Sequence, residues 1–248
     1  MAKKKTGAAV STPRPARPSA KKSKPKKDLG NKFLAIPELD LATRVPAYRY
    51  ANMTNEEVER ELSLRGIRYH QPTPTPSTVR FPIRLDAPLH GVTIHSALPA
   101  EERADTPFEI LDGRLALALD DFCEILERHD VVEVVHFTMY RPAPEQAATD
   151  AEATRHPAGL AIDVGALRKR TGHWLAVGPS WSASIGSQTC GTGARALADR
   201  SGREILSIVC EAADQQIFHY MLTPHFNEAH RDHLHLEIKP GVKWFLYN

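Results

Sequence analysis

The chain has 248 residues, of which 42% are hydrophobic and 25% are charged. A chain of this length can bury a substantial core as one domain or form two small domains, and the composition is typical of a globular protein. No stretch approaches the roughly 18 consecutive apolar residues that a membrane-spanning helix needs, so the sequence predicts no membrane span.

The net charge of +2 conceals a strong asymmetry along the chain. Residues 1–28 contain ten Lys or Arg and one acid, Asp28, whereas the remainder holds 22 basic and 29 acidic residues. Low hydrophobicity, high charge and several prolines predict that residues 1–30 form a disordered basic tail. Residues 1–28 could bind a polyanion non-specifically through counterion release. A solvated tail that aids solubility is an equally good interpretation, and the lack of aromatic residues disfavours specific base recognition.

Two further features bear on the cellular compartment. The lysines at positions 3–5 are not followed by the apolar segment of a signal peptide, so the chain as written is expected in the cytoplasm unless it is exported by another route. Cys123 falls among apolar residues in a helical pattern and is predicted to lie in the core. A bridge between Cys190 and Cys210 is left open, and the lack of a CxxC spacing disfavours a thiolate zinc site.

Ordered elements are predicted from about residue 33 onwards. A capping box that starts at Thr54 opens a helix, which Gly66 ends. Residues 71–78 are rich in Pro and Thr, as linkers often are. We therefore predict that residues 31–78 form an accessory helical arm followed by a linker.

From residue 79 onwards the pattern favours a single α+β domain over residues 79–248. Strands are predicted at residues 79–85, 92–95, 131–139, 160–164, 218–222 and 233–238, and helices at residues 111–129 and 202–217. Pro82 would confine the first strand to a sheet edge, and residues 168–193 are predicted to be a long excursion rich in Gly and Ser. Short returns between helices and neighbouring strands predict a small antiparallel sheet with flanking helices.

The last predicted strand carries two histidines in alternation. His233, His235 and Glu237 share one face of this strand, because side chains alternate along extended chains. The two imidazoles would then lie about 6–7 Å apart, too far for a mutual hydrogen bond. This spacing suits one metal ligand and one neighbouring base.

A second segment can bring a carboxylate and a histidine together. In a fully extended chain, His156 and Asp163 would be about 23 Å apart and could not share an ion. Pro157 and Gly159 are typical turn residues, however, and a turn at this point would carry Asp163 back towards His156.

These two segments resemble a known group of zinc proteins. His-x6-Asp followed by His-x-His is similar to the shared signature of the lysostaphin, D-alanyl-D-alanine metallopeptidase and hedgehog group. Residues 156–163 and 232–237, with Met-Tyr-Arg at 139–141, are most similar to the bacterial extensin-like C-terminal branch of the D-Ala-D-Ala metallopeptidase family. The resemblance covers roughly residues 112–238, about half of the chain.

The resemblance implies a catalytic zinc ion bound by His156, Asp163 and His235. His233 would be the base, and Arg141 would steady charge on the substrate carbonyl. Three protein ligands leave a zinc position for water, and zinc lowers the pKa of that water to about 7. The expected function is zinc-dependent hydrolysis of peptide bonds by a D-Ala-D-Ala carboxypeptidase or endopeptidase, with peptidoglycan stem peptides or D-amino-acid peptides as substrates.

Other histidines and acids carry weaker signals. His230 and Glu237 are explained equally well as partners that orient a metal ligand and as ordinary surface residues. His136 falls on a buried strand and is predicted to be a hydrogen-bonded core histidine.

Three alternative functions are weighed against the hydrolase. A metal-binding protein without peptidase activity is one, since the hedgehog branch uses such a site for another purpose. A non-haem iron oxygenase is disfavoured, because that class usually places one residue between its first His and its carboxylate, whereas six residues intervene here. A polyanion-binding protein that acts through residues 1–28 is the third.

Overall fold

The computed structural model describes residues 33–142, 155–182 and 184–248. The basic tail predicted at residues 1–30 lies outside these residues. The described helices are α1 Leu39–Ala42, α2 Pro46–Ala51, α3 Asn55–Leu64, α4 Ala100–Arg103, α5 Gly113–Arg128, α6 Val177–Ser180 and α7 Arg200–Asp214. The described strands are β1 Leu34–Ala35, β2 Tyr69–His70, β3 Pro82–Leu85, β4 Thr93–Ser96, β5 Leu111–Asp112, β6 Val131–His136, β7 Ala161–Lys169, β8 Trp174–Ala176, β9 Tyr220–Leu222, β10 Leu234–Glu237 and β11 Phe245–Tyr247.

Eight of the described strands form the main sheet. Seven of them follow the order β1-β11-β9-β10-β7-β6-β4, and β8 pairs with the second half of β7. The α+β class is therefore confirmed, but the sheet is mixed and larger than predicted. The pairs β4–β6 and β9–β11 are parallel. The chain between β4 and β6 crosses over through α5, and the chain between β9 and β11 passes through β10. No described helix is both long enough and apolar enough to cross a membrane.

Helix α5 is the centre of the hydrophobic core. It packs against helices α2, α3 and α7 and against strand β6 of the main sheet. Tyr50 from α2 and Leu62 from α3 are buried in the same cluster as Phe122 of α5 and Phe218 before β9. The arm predicted at residues 31–78 thus shares its core with residues 79–248.

Local signals located α3 correctly, but they placed Pro82 wrongly. The Thr54 side chain accepts from the Glu57 backbone N–H, and the Glu57 carboxylate accepts from the Thr54 N–H, which is the predicted capping box. Gly66 follows the helix with a φ of 66°. In contrast, β3 is the middle strand of a small second sheet, between β2 and β5. Pro82 is its first residue, a position where a missing N–H is tolerated.

The excursion predicted at residues 168–193 contains the end of β7, together with β8 and α6. A disulfide between Cys190 and Cys210 joins this segment to α7. Cys123 is free and fully buried in α5, as predicted.

A buried histidine is expected to make the fold sensitive to acid. His219 is 0% exposed; its Nε2 donates to the Val242 carbonyl at 2.9 Å, and its Nδ1 accepts from the Lys239 N–H at 3.0 Å. Burial lowers the pKa of His219 to about 4, so the unfolded chain binds more protons between pH 6.5 and pH 4. Stability is therefore fully present above pH 6.5 and declines towards pH 4.

We expect His219 to contribute a loss of about 2 kcal/mol in unfolding free energy between pH 7 and pH 5. Urea denaturation at both pH values checks this, with His219→Gln as the comparison, because glutamine carries a donor and an acceptor but does not titrate. An identical pH dependence in both proteins would assign the acid sensitivity to other groups.

Candidate metal centre

The sheet register brings one predicted ligand opposite another. Strands β7 and β10 are antiparallel neighbours, and His235 is the Cα partner of Asp163. His156 opens a 3-10 turn, His156–Ala158, immediately before β7. This turn reverses the chain, as Pro157 and Gly159 predicted. It therefore brings His156 next to Asp163 and His235.

Gly159 makes this turn possible for two reasons. Its φ of 64° lies in the left-handed region, which side chains with a Cβ adopt at a cost. A Cβ at Gly159 would also lie 2.7 Å from the backbone nitrogen of Asp112. That nitrogen donates to the Gly159 carbonyl at 2.9 Å, so the turn that carries His156 is held against the start of α5.

The three predicted ligands form a compact buried cluster. His156 Nε2 lies 3.1 Å from Asp163 Oδ2, and His235 Nδ1 lies 2.9 Å from Asp163 Oδ1. One possible ligand atom from each residue lies within 4.8 Å of the others. All three residues are buried, so the cluster is not a set of surface charges, and it could hold a metal ion.

The outward nitrogens of both imidazoles have acceptors. His156 Nδ1 lies 3.2 Å from the Met139 carbonyl, and His235 Nε2 lies 3.2 Å from Glu237 Oε2. Metal-binding histidines commonly donate their second ring N–H to such partners, which fixes the tautomer and leaves the inner nitrogen free for the ion. Two imidazole nitrogens and one carboxylate are ligands that Zn²⁺ prefers. The residues therefore fit a divalent metal ion.

Electrostatics in the cluster favour a cation. Burial alone would raise the pKa of Asp163, but hydrogen bonds from His156 and His235 outweigh it and hold the pKa well below the usual range. Burial would lower the pKa of His235, but hydrogen bonds to Asp163 and Glu237 raise it. Asp163 is thus a carboxylate, and it draws positive charge to His235.

His233 lies at the edge of the cluster, just before β10. Its Nδ1 lies 2.9 Å from Asp232 Oδ1, and its Nε2 lies 3.6 Å from Asp163 Oδ1. The side chain is 13% exposed. One ring nitrogen is therefore held by a carboxylate, while the other faces the three ligands.

Comparison with known families identifies the segment of the chain that carries these residues. The model of the extensin-like protein C-terminus matches residues 116–245, a segment that contains the whole cluster and His233. The chain belongs to this family. Searches of the curated proteins and of the solved structures returned no match. The resemblance to the extensin-like branch is confirmed, and its wider link to D-Ala-D-Ala metallopeptidases stays a prediction.

The extensin-like domain places Arg141 beside the turn that carries His156. The Arg141 backbone N–H donates to the His156 carbonyl at 3.4 Å, and the side chain is exposed. Among the described residues, its guanidinium makes no contact with the three ligands. The residues that follow, 143–154, are not described. A catalytic role for Arg141 stays a prediction.

Three further residues of the site had weak sequence signals or none. The His230 ring lies 5.2 Å from that of His233 and 5.9 Å from that of His235. The Glu237 side chain is 0% exposed and forms an ion pair with Arg155, with 3.4 Å between Glu237 Oε2 and Arg155 Nε. The alternation along β10 had placed Glu237 on the face of His235, and of the two interpretations left open for it, the structure favours the partner of His235, because Glu237 is buried and not a surface residue. No local pattern distinguished Arg155.

The prediction for His136 is wrong among the described residues. The side chain is fully buried, as expected for β6, but neither ring nitrogen has a hydrogen-bond partner there. Burial lowers the pKa of His136 to about 3, so the ring is neutral. The next residue, Phe137, donates its N–H to the Asp163 carbonyl at 2.8 Å, which places β6 directly behind the cluster.

Proposed function

We propose that the extensin-like domain is a zinc-dependent peptide hydrolase of the D-Ala-D-Ala metallopeptidase type. The observation that carries this proposal is the buried cluster of His156, Asp163 and His235 with His233 at its edge. Three protein ligands are typical of catalytic zinc, whereas structural zinc usually has four. Bound zinc would polarise the substrate carbonyl and lower the pKa of water.

The surroundings of the ligands support this function. Glu237 accepts from His235 and the Met139 carbonyl accepts from His156, so both rings are held before an ion arrives. Such partners typically account for tenfold to hundredfold in metal affinity or activity. Pre-arranged ligands suit a site in which the geometry of the reacting groups decides the rate.

His233 is the residue best suited to move a proton. Asp232 holds its Nδ1, so its Nε2 is the atom available to take a proton from an attacking water. The same nitrogen can then return that proton to the leaving amine. Arg141, exposed beside the turn, is proposed to steady negative charge on the substrate.

The disulfide bears on where the substrate is found. Disulfides persist mainly in oxidising compartments and are rare in the cytosol. The Cys190–Cys210 bridge therefore supports action outside the cytoplasm, contrary to the expectation from the N-terminal residues. Peptidoglycan stem peptides, or other peptides that contain D-amino acids, are the substrate class that we propose.

The test is the metal content of the purified protein, followed by peptide hydrolysis. We expect about one zinc per chain by mass spectrometry, and cleavage of a muramyl pentapeptide that stops with a chelator and returns with zinc. Zinc without cleavage of any stem peptide would favour a metal-binding protein that is not a peptidase. No zinc after refilling would exclude the hydrolase and leave residues 1–28 as the better clue to function.

A further inference from the structure

We infer that Arg155 binds the terminal carboxylate of a peptide substrate, an inference that rests on the proposed hydrolase function. Arg155 directly precedes the ligand His156 in the chain. Its Nε lies 3.4 Å from Oε2 of Glu237; the arginine side chain is 55% exposed and the glutamate 0%. A buried carboxylate thus anchors one edge of the guanidinium, while much of the arginine side chain remains accessible beside the cluster.

A series of three contacts connects the Arg155 guanidinium to the predicted ligands. Asp163 meets His235 at 2.9 Å, His235 meets Glu237 at 3.2 Å, and Glu237 meets Arg155 at 3.4 Å. The guanidinium is therefore connected to the His235 ring through the Glu237 carboxylate and lies beside the cluster. A cation displaced in this way suits a group of the substrate next to the scissile carbonyl, and a terminal carboxylate is such a group.

The charges around Arg155 leave its guanidinium available to bind a group of the substrate. Two buried carboxylates, Asp163 and Glu237, belong to the cluster, and a divalent ion would balance both. The Arg155 guanidinium supplies positive charge at that edge of the cluster, and its side chain is 55% exposed. Guanidinium binds carboxylates well, because its planar N–H groups match the two oxygens.

The backbone of Arg155 supports a role for its side chain. Its φ of 58° and ψ of −138° lie in a region that residues with a Cβ rarely adopt. Glycine would accept this conformation more readily. Strained residues of this kind concentrate at functional sites, and the use of the guanidinium accounts for an arginine here.

Calorimetric titration of the zinc-loaded full-length protein tests the inference without relying on turnover. The probes are N-acetyl-D-alanine, which has a free carboxylate, and N-acetyl-D-alaninamide, which has none. We expect the acid to bind at least tenfold more tightly than the amide. Arg155→Gln should weaken acid binding about tenfold to hundredfold, the usual range for a charge-assisted hydrogen bond, and leave amide binding unchanged.

Two further variants keep the result interpretable. Arg155→Gly removes the guanidinium and relieves the backbone, so it guards against misfolding and should show the same loss as Arg155→Gln. Arg231→Gln is the control, because Arg231 pairs with Glu228 on the exposed surface; it should keep the acid preference.

Several outcomes would overturn the inference. They are unchanged acid binding in both Arg155 variants, a loss of zinc in those variants, or a preference that Arg141→Gln removes instead. A wild-type protein that cleaves stem peptides without an Arg155-dependent preference refutes this inference alone. A preference that both Arg155 variants lose, in a protein that cleaves no stem peptide, supports carboxylate binding by Arg155 and refutes the hydrolase.

Discussion

Replacing His235 by alanine is expected to reduce bound zinc to background. The His235 ring would supply one of the three proposed ligand atoms, and it is also the partner of two buried carboxylates, Asp163 and Glu237. Removing it leaves two ligands and two poorly compensated buried charges. Metal content by mass spectrometry, with a chelator competition to measure affinity, checks this result. His70→Ala is the matched control, because His70 is an exposed histidine that pairs with Asp86.

A milder variant separates metal binding from folding. Glu237→Gln preserves size and can still accept from His235, but it lacks the charge, so we expect zinc affinity to fall about tenfold to hundredfold. Circular dichroism of both variants checks that the fold persists. If the His235→Ala variant retained zinc, the zinc site would have to lie elsewhere in the chain. If the zinc affinity of Glu237→Gln were unchanged, Glu237 would have no role in metal binding, and its contact with Arg155 would be its remaining role.

The three residues of the cluster were predicted as a set from the resemblance to the extensin-like branch, and local geometry supplied part of the physical explanation. Strand alternation placed His235 and Glu237 on one face, and the Pro157–Gly159 turn returned the chain to Asp163. The pairing of β7 with β10 then joins two segments that are each defined by their own residues. What local patterns did not reveal is the contact of Gly159 with Asp112, which depends on how α5 packs against the turn.

Features that depend on packing between segments far apart in the chain could not be predicted from the sequence. Strands β1 and β11 are two and three residues long, too short to stand out in a hydrophobic pattern. The sharing of one core by Tyr50, Leu62 and α5 depends on contacts between segments far apart in the chain. Arg155 lies next to a ligand in sequence, yet its direction depends on a positive φ that a single sequence does not reveal. For His136, burial was predictable, but its lack of partners among the described residues was not.

Replacing His233 by alanine is expected to lower kcat/KM for stem peptides about 100-fold to 10,000-fold, the usual contribution of a general base. Zinc content should remain near one per chain, because His233 is not among the three residues of the cluster. His233 Nε2 is 3.6 Å from Asp163 Oδ1, close enough to serve a water beside the ligands. Steady-state kinetics on metal-loaded protein, with metal content measured on the same sample, separates loss of chemistry from loss of the ion.

Neighbouring residues supply the comparison for His233. Asp232→Asn keeps an acceptor for Nδ1 but removes the charge, so its effect on kcat/KM should be smaller and should fall mainly on kcat. His230→Ala tests the other ring at the same edge, 5.2 Å from that of His233. If His233→Ala retained activity while His230→Ala lost it, the proton would pass through His230. Since burial keeps His230 neutral at pH 7, with its pKa lowered to about 4, it would be a weaker base than an unperturbed histidine. We therefore expect the larger loss in His233→Ala.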